Sequence, residues 1–173
     1  PENAREILGN LGRNIDLVAG IFDETMLRLR SCTALELMRV PICCAVSIYH
    51  PLAQKRILSF EDLRGQRLML MKRNWSKYVD ALRDDLEANH PAVEIMDFAF
   101  YNLEVFNQCE HENALLMAVP QWEGVHPLLK ILPVEWEHTI PFGLFHSPKP
   151  SPTVKKLIRT VVQVMKPEHQ PKA

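Results

Sequence analysis

The chain has 173 residues, of which 47% are apolar and 24% are charged, and its formal net charge is −1. These values are those of an ordinary globular protein, and the near-neutral charge excludes the basic face of a domain that itself contacts nucleic acid. No apolar run approaches the roughly 20 residues that span a bilayer, and residues 1–6 lack the apolar region of a signal peptide. The sequence therefore predicts no membrane partner.

The first part of the chain alternates between helix and strand patterns. A cap pattern that opens at Asn3 predicts a short helix, which should end before Gly12. The apolar run at 15–22 predicts a strand covered on both faces, and the run at 39–49 predicts a second buried strand. The segment at 23–38 is ambiguous, and a loop with some helix is expected there.

The remaining elements continue this alternation, and the last helix is the clearest of them. Ser151 followed by Pro152 is a cap with proline at the first helical position, and an apolar stripe continues to Met165. The polar tail at 167–173 is expected to fray. The other predicted elements are a capped short helix at 59–64, strands at 67–71, 93–100, 114–119, 128–134 and 139–146, a helix capped by Ser76 at 77–89, and a helix at 103–109. Such alternation implies parallel sheets with helices on their faces, in which ligands bind beyond the carboxyl ends of strands.

The four cysteines, at positions 32, 43, 44 and 109, do not resemble a disulfide framework. Cys43 and Cys44 are adjacent within an apolar run, so an extended backbone would point them to opposite faces. Unpaired thiols of this kind are typical of a reducing compartment. We therefore expect small core residues in a cytoplasmic protein.

The sequence lacks the motifs of common enzyme sites, namely the dinucleotide-binding, phosphate-loop, zinc-protease and serine-hydrolase patterns. Cys109 and His111 have no second pair at ligand spacing, which favours an ordinary helix end over a zinc site. Asp84, Asp85 and Glu87 on an amphipathic helix indicate a solvated face rather than an acid/base pair. A cysteine inside an apolar strand is more often inert than nucleophilic. We expect no catalytic residue, no metal and no cofactor.

A series of motifs nevertheless runs along the chain in a characteristic order. A strand with Asp-Leu before further apolar residues lies at 12–20, H-P-L-A follows at 50–53, and E-D-L-x-G follows at 61–65. An apolar strand ends at Pro120, and Ser151 precedes the final helix. In this order the motifs resemble the C-terminal effector-binding domain of LysR-type transcriptional regulators, over nearly the whole chain.

Two departures from the family pattern stand out. The family usually has a glycine-rich G-x-G-I segment before its late strand, whereas Asn113 and Leu115 stand here, although Asn113 can adopt the left-handed turn conformation. The family's domain also opens with a strand, a helix and a second strand, after a helix-turn-helix and a linker helix, and none has a counterpart in this sequence. We expect an N-terminally truncated domain whose first lobe is incomplete.

The resemblance implies an α/β, type 2 periplasmic-binding-protein-like fold, with two Rossmann-like lobes joined by two crossover strands. The first lobe would comprise residues 1–43 with 139–173, and the second would comprise 44–138. The crossovers are expected near 43–46 and 136–141. The effector would bind in the cleft between the lobes, where a ligand that contacts both favours their closed arrangement.

The resemblance and the strand-end rule together suggest eight residues for this cleft. They are Phe22, Asp23, Arg73, Asn74, Trp75, Phe100, Tyr101 and Asn102. The aromatic residues would form apolar walls, Arg73 would bind a carboxylate and Asn102 would give a directional hydrogen bond. The expected effector is a small molecule, an aromatic or aliphatic acid. DNA would be a partner only through the missing N-terminal domain, and a homodimer or homotetramer is expected.

Two other classes of function remain open beside this effector-sensing domain. A free-standing solute-binding protein of the same fold would need export, so a signal peptide in the full gene would favour it and an upstream helix-turn-helix would exclude it. An enzyme on a related α/β scaffold would need an assembled acid, base, nucleophile or metal set, which the sequence lacks.

Overall fold

The structure of the chain is a computed structural model, and it describes residues 4–165. The predicted helix cap at Asn3 and the predicted polar tail at 167–173 lie outside these residues. No helix within the described range combines the length and the apolar character that crossing a membrane requires.

Helices and strands alternate along much of the described range, as the sequence pattern predicts, but strands follow one another directly within 33–47 and within 129–146. The helices are α1 (Ala4–Gly9), α2 (Glu24–Arg30), α3 (Phe60–Leu63), α4 (Lys77–Asn89), α5 (Leu103–His111) and α6 (Pro152–Met165). The strands are β1 (Val18–Ile21), β2 (Thr33–Pro41), β3 (Cys43–Ser47), β4 (Arg67–Met71), β5 (Glu94–Phe98), β6 (Leu115–Ala118), β7 (Leu129–Pro133) and β8 (Thr139–His146).

The first sheet has the strand order β1-β8-β2 among the described residues, and both pairings are antiparallel. The predicted parallel arrangement is therefore wrong for this sheet. The strand β8 comes from the far end of the chain and runs opposite to both neighbours, which a local alternation of helix and strand does not reveal.

The strand β1 lies at an edge of this sheet, and no strand among residues 4–165 pairs with its second side. Ala19 is exposed, and Ile21 is the buried residue of the strand. The prediction of a strand covered on both faces is therefore wrong, because a continuous apolar run does not distinguish an edge strand from a central one.

The second sheet has the strand order β5-β4-β6-β3-β7 in the part of the chain that the structure describes. The strand β4 runs parallel to β5 and β6, as the alternation predicts. The strand β3 runs antiparallel to β6 and β7, so the sheet is mixed. Every residue of β3 and β6 is buried, as expected of central strands.

The segment at 39–49, predicted as a single strand, contributes to both sheets, because β2 and β3 are separated at Ile42. The N–H of Ile42 donates to the carbonyl of His138 at 2.9 Å, and the Trp136 indole N–H donates to the Ile42 carbonyl at 2.7 Å. The two connections between the sheets therefore run side by side. Pro41 directly precedes the break, but the apolar pattern continues through Ile42, so periodicity alone did not reveal it.

The ambiguous segment at 23–38 contains α2 and the first part of β2. The carboxylate of Asp23 caps α2 by accepting from the N–H of Met26 at 3.0 Å. The helix ends at Ser31, which has the left-handed φ of 50°. Glycine or asparagine usually marks such an end, so the segment carries no recognisable stop signal.

The predicted caps of α3 and α6 are confirmed. Ser59 and Asp62 form a reciprocal capping box, and the Ser151 hydroxyl accepts from the N–H of Val154 at 3.3 Å. Helix α4 begins after Ser76 as predicted, but the Ser76 side chain makes no capping hydrogen bond within the described range. The side chain of another residue therefore accepts the hydrogen bond from the first backbone N–H of α4.

The interior is apolar and contains the cysteines, whose predicted role as small core residues is confirmed. All four are buried and free. Most buried apolar side chains form one cluster around the second sheet, which reaches the first sheet through Ile21, Val40 and Ile140. The predicted left-handed turn at Asn113 is also confirmed, with a φ of 52°.

The two sheets occupy different parts of the chain. The strands of the first sheet lie within 18–41 and 139–146, and those of the second lie within 43–133. This arrangement confirms the predicted α/β class. The division into lobes at 1–43 with 139–173 and at 44–138 stays a prediction.

Candidate functional site

A cavity of about 170 Å³ lies between the two sheets. One wall comes from α1, β1 and α2 and from Phe145 of β8, and the other comes from the carboxyl-end loops of the second sheet. Its lining residues are Ile7, Leu8, Val18, Ala19, Gly20, Ile21, Met26, Arg30, Met71, Trp75, Ala99, Phe100, Tyr101, Trp122 and Phe145. Most of these lining side chains are apolar, which is typical of small-molecule sites.

Three of the predicted residues, Trp75, Phe100 and Tyr101, lie together in this lining. The rings of Trp75 and Phe100 pack edge to face with centroids 4.6 Å apart, and those of Tyr101 and Trp122 do so at 4.5 Å. The Tyr101 hydroxyl donates to the carbonyl of Met117 at 2.7 Å, and burial holds the pKa of this phenol well above its ordinary value. The Tyr101 ring is thereby fixed as an apolar wall.

Phe22 and Asp23 stand beside the cavity, outside its described lining. Phe22 packs edge to face on Phe145 with centroids 5.8 Å apart. Asp23 is 2% exposed, and its second carboxylate oxygen accepts from the backbone N–H of Lys77 at 2.9 Å. Asp23 therefore accepts the hydrogen bond from the first backbone N–H of α4, whereas the Ser76 side chain caps no N–H of this helix.

Arg73 lies in the turn between β4 and α4, and it does not belong to the described cavity lining. Its guanidinium pairs with the carboxylates of Asp84 and Glu87 at 2.7 Å each. The Arg73 side chain is thus bound by the acidic face of α4 at the protein surface. The interpretation of Arg73 as a carboxylate partner in the cleft has no support from this geometry.

Asn74 and Asn102 take part in turn and helix-cap hydrogen bonds next to the site, and neither belongs to the described lining. Asn74 adopts a left-handed φ of 69°, and its N–H donates to Asp80 at 3.1 Å. The side-chain oxygen Oδ1 of Asn102 caps α5 by accepting from the N–H of Val105 at 2.9 Å. Both residues shape the turns that carry Trp75 and the aromatic residues after β5.

The structure adds lining residues that the sequence reasoning missed, above all Arg30 at the end of α2. The guanidinium carbon of Arg30 lies 4.8 Å from the ring centroid of Phe100 and 5.2 Å from that of Trp75. Such distances are those of cation–π contacts. The only available signal was a cation at the end of a helix whose existence the sequence left ambiguous.

The cavity also runs along the open edge of β1. Successive side chains of a strand point to opposite faces, so a cavity lined by all of Val18–Ile21 follows the edge rather than one face. The Phe22 N–H donates to the Pro141 carbonyl of β8 at 3.1 Å. By the alternation of an antiparallel ladder, the backbone groups of Ala19 and Ile21 then point to the open edge.

The structure favours inert thiols. Burial raises the pKa of Cys43 to about 11 and that of Cys109 to about 12, and it holds the pKa of Cys44 well above the ordinary value. A buried thiol with a raised pKa is a poor nucleophile and a poor metal ligand. Within residues 4–165, no group of three or more histidine, cysteine or acidic side chains is placed to hold a metal ion.

The model of one protein family matches this chain. It is that of the LysR substrate binding domain, and it matches residues 1–166. In a comparison with proteins of curated function, no sequence matches.

Solved structures with the same fold include three regulator domains or regulators. The effector binding domain of QuiR in complex with shikimate has a TM-score of 0.61 at 17% identity, over 98% of this chain and 81% of that one. The regulatory domain of Synechocystis PCC6803 CcmR in complex with 2-PG has a TM-score of 0.57 at 15% identity, over 96% and 81%. Full-length CbnR complexed with its target DNA has a TM-score of 0.63 at 13% identity, over 95% and 59%. Identities this low show likeness of fold alone.

Proposed function

Since the chain belongs to the LysR substrate binding domain family, we propose that it is the effector-sensing regulatory domain of a bacterial transcriptional regulator. Its effector is a small molecule that binds in the cavity between the two sheets. The observation that carries this proposal is the composition of the cavity wall. Residues of the first sheet, of its neighbouring helices α1 and α2, and of the loops at one edge of the second sheet all contribute to it.

The position of the cavity gives binding a mechanical consequence. We assign the first sheet to a lobe of residues 1–43 with 139–173 and the second sheet to a lobe of residues 44–138. A ligand that contacts both lobes stabilises the arrangement in which its contacts are complete, by its difference in affinity for the open and closed forms. The side-by-side connections at Ile42 and Trp136 are where the lobes would turn against each other.

Two polar contacts join the lobes that we propose. The Asp23 carboxylate reaches the N–H of Lys77 on α4, and the Arg39 guanidinium of β2 donates to the Tyr78 hydroxyl of α4 at 3.2 Å. Helix α4 of the second lobe is thus in direct contact with the first lobe through Lys77 and Tyr78.

The partners in this proposal follow from the same family membership. QuiR and CcmR are described with shikimate and 2-PG, and CbnR with its target DNA. For this chain, we propose a small organic acid as effector, DNA contact through an N-terminal helix-turn-helix module outside this sequence, self-association and a cytoplasmic location. The near-neutral net charge of −1 agrees with a domain that does not itself contact DNA. We assign no catalytic residue.

The test is thermal unfolding of the chain in the presence of shikimate, 2-PG and benzoate. A ligand at about 100 times its Kd adds about 2.7 kcal/mol, so Tm should rise by roughly 5–10 °C for a domain of this size. Ala99→Phe fills the cavity with a ring and should abolish the rise. Ala92→Phe is the matched control, because Ala92 is exposed and outside the described lining. A rise that Ala99→Phe leaves intact, or no rise with any of the three, would contradict the proposal.

A further inference from the structure

Three buried polar atoms at the start of α4 have no hydrogen-bond partner among residues 4–165. They are the hydroxyl Oγ of Ser76, the carboxylate oxygen Oδ1 of Asp80 and the guanidinium Nε of Arg83. Ser76 is 3% exposed and Arg83 is 5% exposed. Their spacing of four and three residues places all three side chains on one face of the helix. Buried polar groups almost always have a partner, so three on one face require an explanation.

The remaining polar atoms of two of these side chains show where the face points. Arg83 donates from Nη2 to the carbonyl of Met71 at 3.0 Å. Asp80 accepts with Oδ2 from the N–H of Asn74 at 3.1 Å. Both side chains therefore reach the turn at 72–76 that leads from β4 into α4, and Ser76 is the last residue of this turn. The three atoms without a partner consequently lie around the same turn.

The chemistry of these atoms suits a water molecule. The carboxylate oxygen accepts, the guanidinium N–H donates and the hydroxyl does both. Arg83 pairs with Asp97 at 2.5 Å and forms no ion pair with Asp80 within residues 4–165, so the two opposite charges on α4 do not meet directly. A water molecule bridges polar groups that are up to about 5 Å apart. An ion of either sign would instead meet a like charge, from Arg83 or from Asp80.

From these observations we infer that the turn at 72–76 and α4 enclose an ordered water molecule. It donates to Oδ1 of Asp80 and accepts from the Nε–H of Arg83, and the Ser76 hydroxyl completes the three hydrogen bonds that a buried water typically makes. Met71 directly precedes this turn and Trp75 lies within it, and both line the cavity between the sheets. Asp80 and Arg83 are thus positioning residues for this part of the cavity wall, whichever molecule the cavity takes.

Urea unfolding of Ser76→Ala beside Ser47→Ala tests whether the Ser76 hydroxyl has a partner. Ser47 is also buried, and its hydroxyl accepts from the N–H of Tyr49 at 3.3 Å. A hydroxyl bonded to the enclosed water is stabilising, so Ser76→Ala should raise the equilibrium constant of unfolding about 5-fold, as the control should. Removal of a buried hydroxyl that has no partner would leave this constant unchanged or lower it, and that result overturns the inference.

The positioning role is tested with Asp80→Asn and the indole N–H signal of Trp75 in ¹H–¹⁵N NMR spectra. Asparagine keeps an acceptor for the Asn74 N–H and replaces Oδ1 by a donor, so the water can no longer donate there. The Trp75 signal should shift, whereas that of Trp136 should stay. Asp85→Asn, on the same helix but paired with His138, should leave the Trp75 signal in place. A Trp75 signal that Asp80→Asn does not move overturns the positioning role.

The water itself is tested by a crystal structure of the wild type at a resolution that shows ordered solvent. Density for one water should lie within hydrogen-bond distance of Asp80 Oδ1 and Arg83 Nε, and Ser76 Oγ should contact it. An ion at this position, a direct contact between the two charged side chains, or the lack of any density between them overturns the inference. None of these outcomes affects the proposed function, because that function is tested by ligands added to the cavity.

Discussion

The carboxylate of Asp23 accepts from the N–H of Met26 at 3.0 Å and from that of Lys77 at 2.9 Å. It thereby joins α2, which connects two strands of the first sheet, to α4, which connects two strands of the second. The first N–H lies in the first turn of α2 and the second opens α4. A carboxylate at a helix start also interacts favourably with the helix dipole. Asp23 is thus a shared cap, and its partner Lys77 lies 54 positions further along the chain.

The first prediction concerns the stability that this shared cap provides. Asp23→Ala leaves two N–H groups without their acceptor in a buried place, so the free energy of unfolding should fall by about 2–4 kcal/mol. Urea unfolding followed by tryptophan fluorescence measures the loss. Glu24→Ala is the control, because its exposed side chain makes a 3.7 Å ion pair with Lys77 and no other ion pair within residues 4–165, and it should cost less than about 0.5 kcal/mol. A loss for Asp23→Ala as small as that of the control would refute the shared cap.

A second prediction concerns pH and His50. The Nδ1 atom of this buried imidazole accepts from the N–H of Leu52 at 3.0 Å, which requires the neutral ring, and burial lowers the pKa of His50 below its ordinary value. The unfolded chain therefore binds a proton first as the pH falls. The contribution of His50 to stability is present above its unfolded pKa of about 6.5 and is lost as the pH falls from there toward the folded pKa.

Unfolding of the wild type between pH 7.5 and pH 5 should accordingly show a decrease in free energy that His50→Asn reduces. Asparagine keeps an acceptor at the cap position and does not titrate. His111→Asn, at an exposed position, should retain the wild-type pH dependence. If His50→Asn showed an unchanged pH dependence, the buried neutral imidazole would not be its source.

The third prediction concerns the close pairing of β8 with β2. A Cβ atom at Gly143 would lie 2.1 Å from the carbonyl oxygen of Leu35, which is backbone and cannot move aside alone. Gly143→Ala should therefore destabilise the protein by more than about 2 kcal/mol. Gly9→Ala is the control, since a Cβ there meets no atom within 4 Å. Thermal unfolding of both variants decides the point, and equal Tm values would show that β8 does not pack on β2 this closely.

The parts of the fold that the sequence predicted well are those with complete local signals. Helix α4 has an apolar stripe and ends before a proline, and β4 was predicted with the bounds that the structure has. The resemblance implied a crossover near 43–46, but the local pattern did not show the break at Ile42. The cause of this break is distant, because the hydrogen bonds that hold the connection come from His138 and Trp136. The antiparallel first sheet was missed for the same reason, since β8 is supplied from the other end of the chain.

The candidate site was predicted in part, and the difference lies in side-chain direction. The strand-end rule indicated the loops after β4 and β5, and three residues of these loops, Trp75, Phe100 and Tyr101, line the cavity. It could not tell that Arg73 would turn to the acidic face of α4. Nor could it indicate Arg30, because the helix that presents this residue ends at a left-handed serine rather than at glycine.

The central claim, that a small molecule binds between the two sheets, is tested most directly by the indole N–H signals of the three tryptophans in a ¹H–¹⁵N NMR titration with shikimate, 2-PG or benzoate. Trp75 and Trp122 line the cavity, whereas the indole of Trp136 is buried against the Ile42 carbonyl, outside the lining. We predict saturable shifts of the Trp75 and Trp122 signals with a much smaller change at Trp136. Three signals that remain unchanged, or a shift confined to Trp136, would contradict the account.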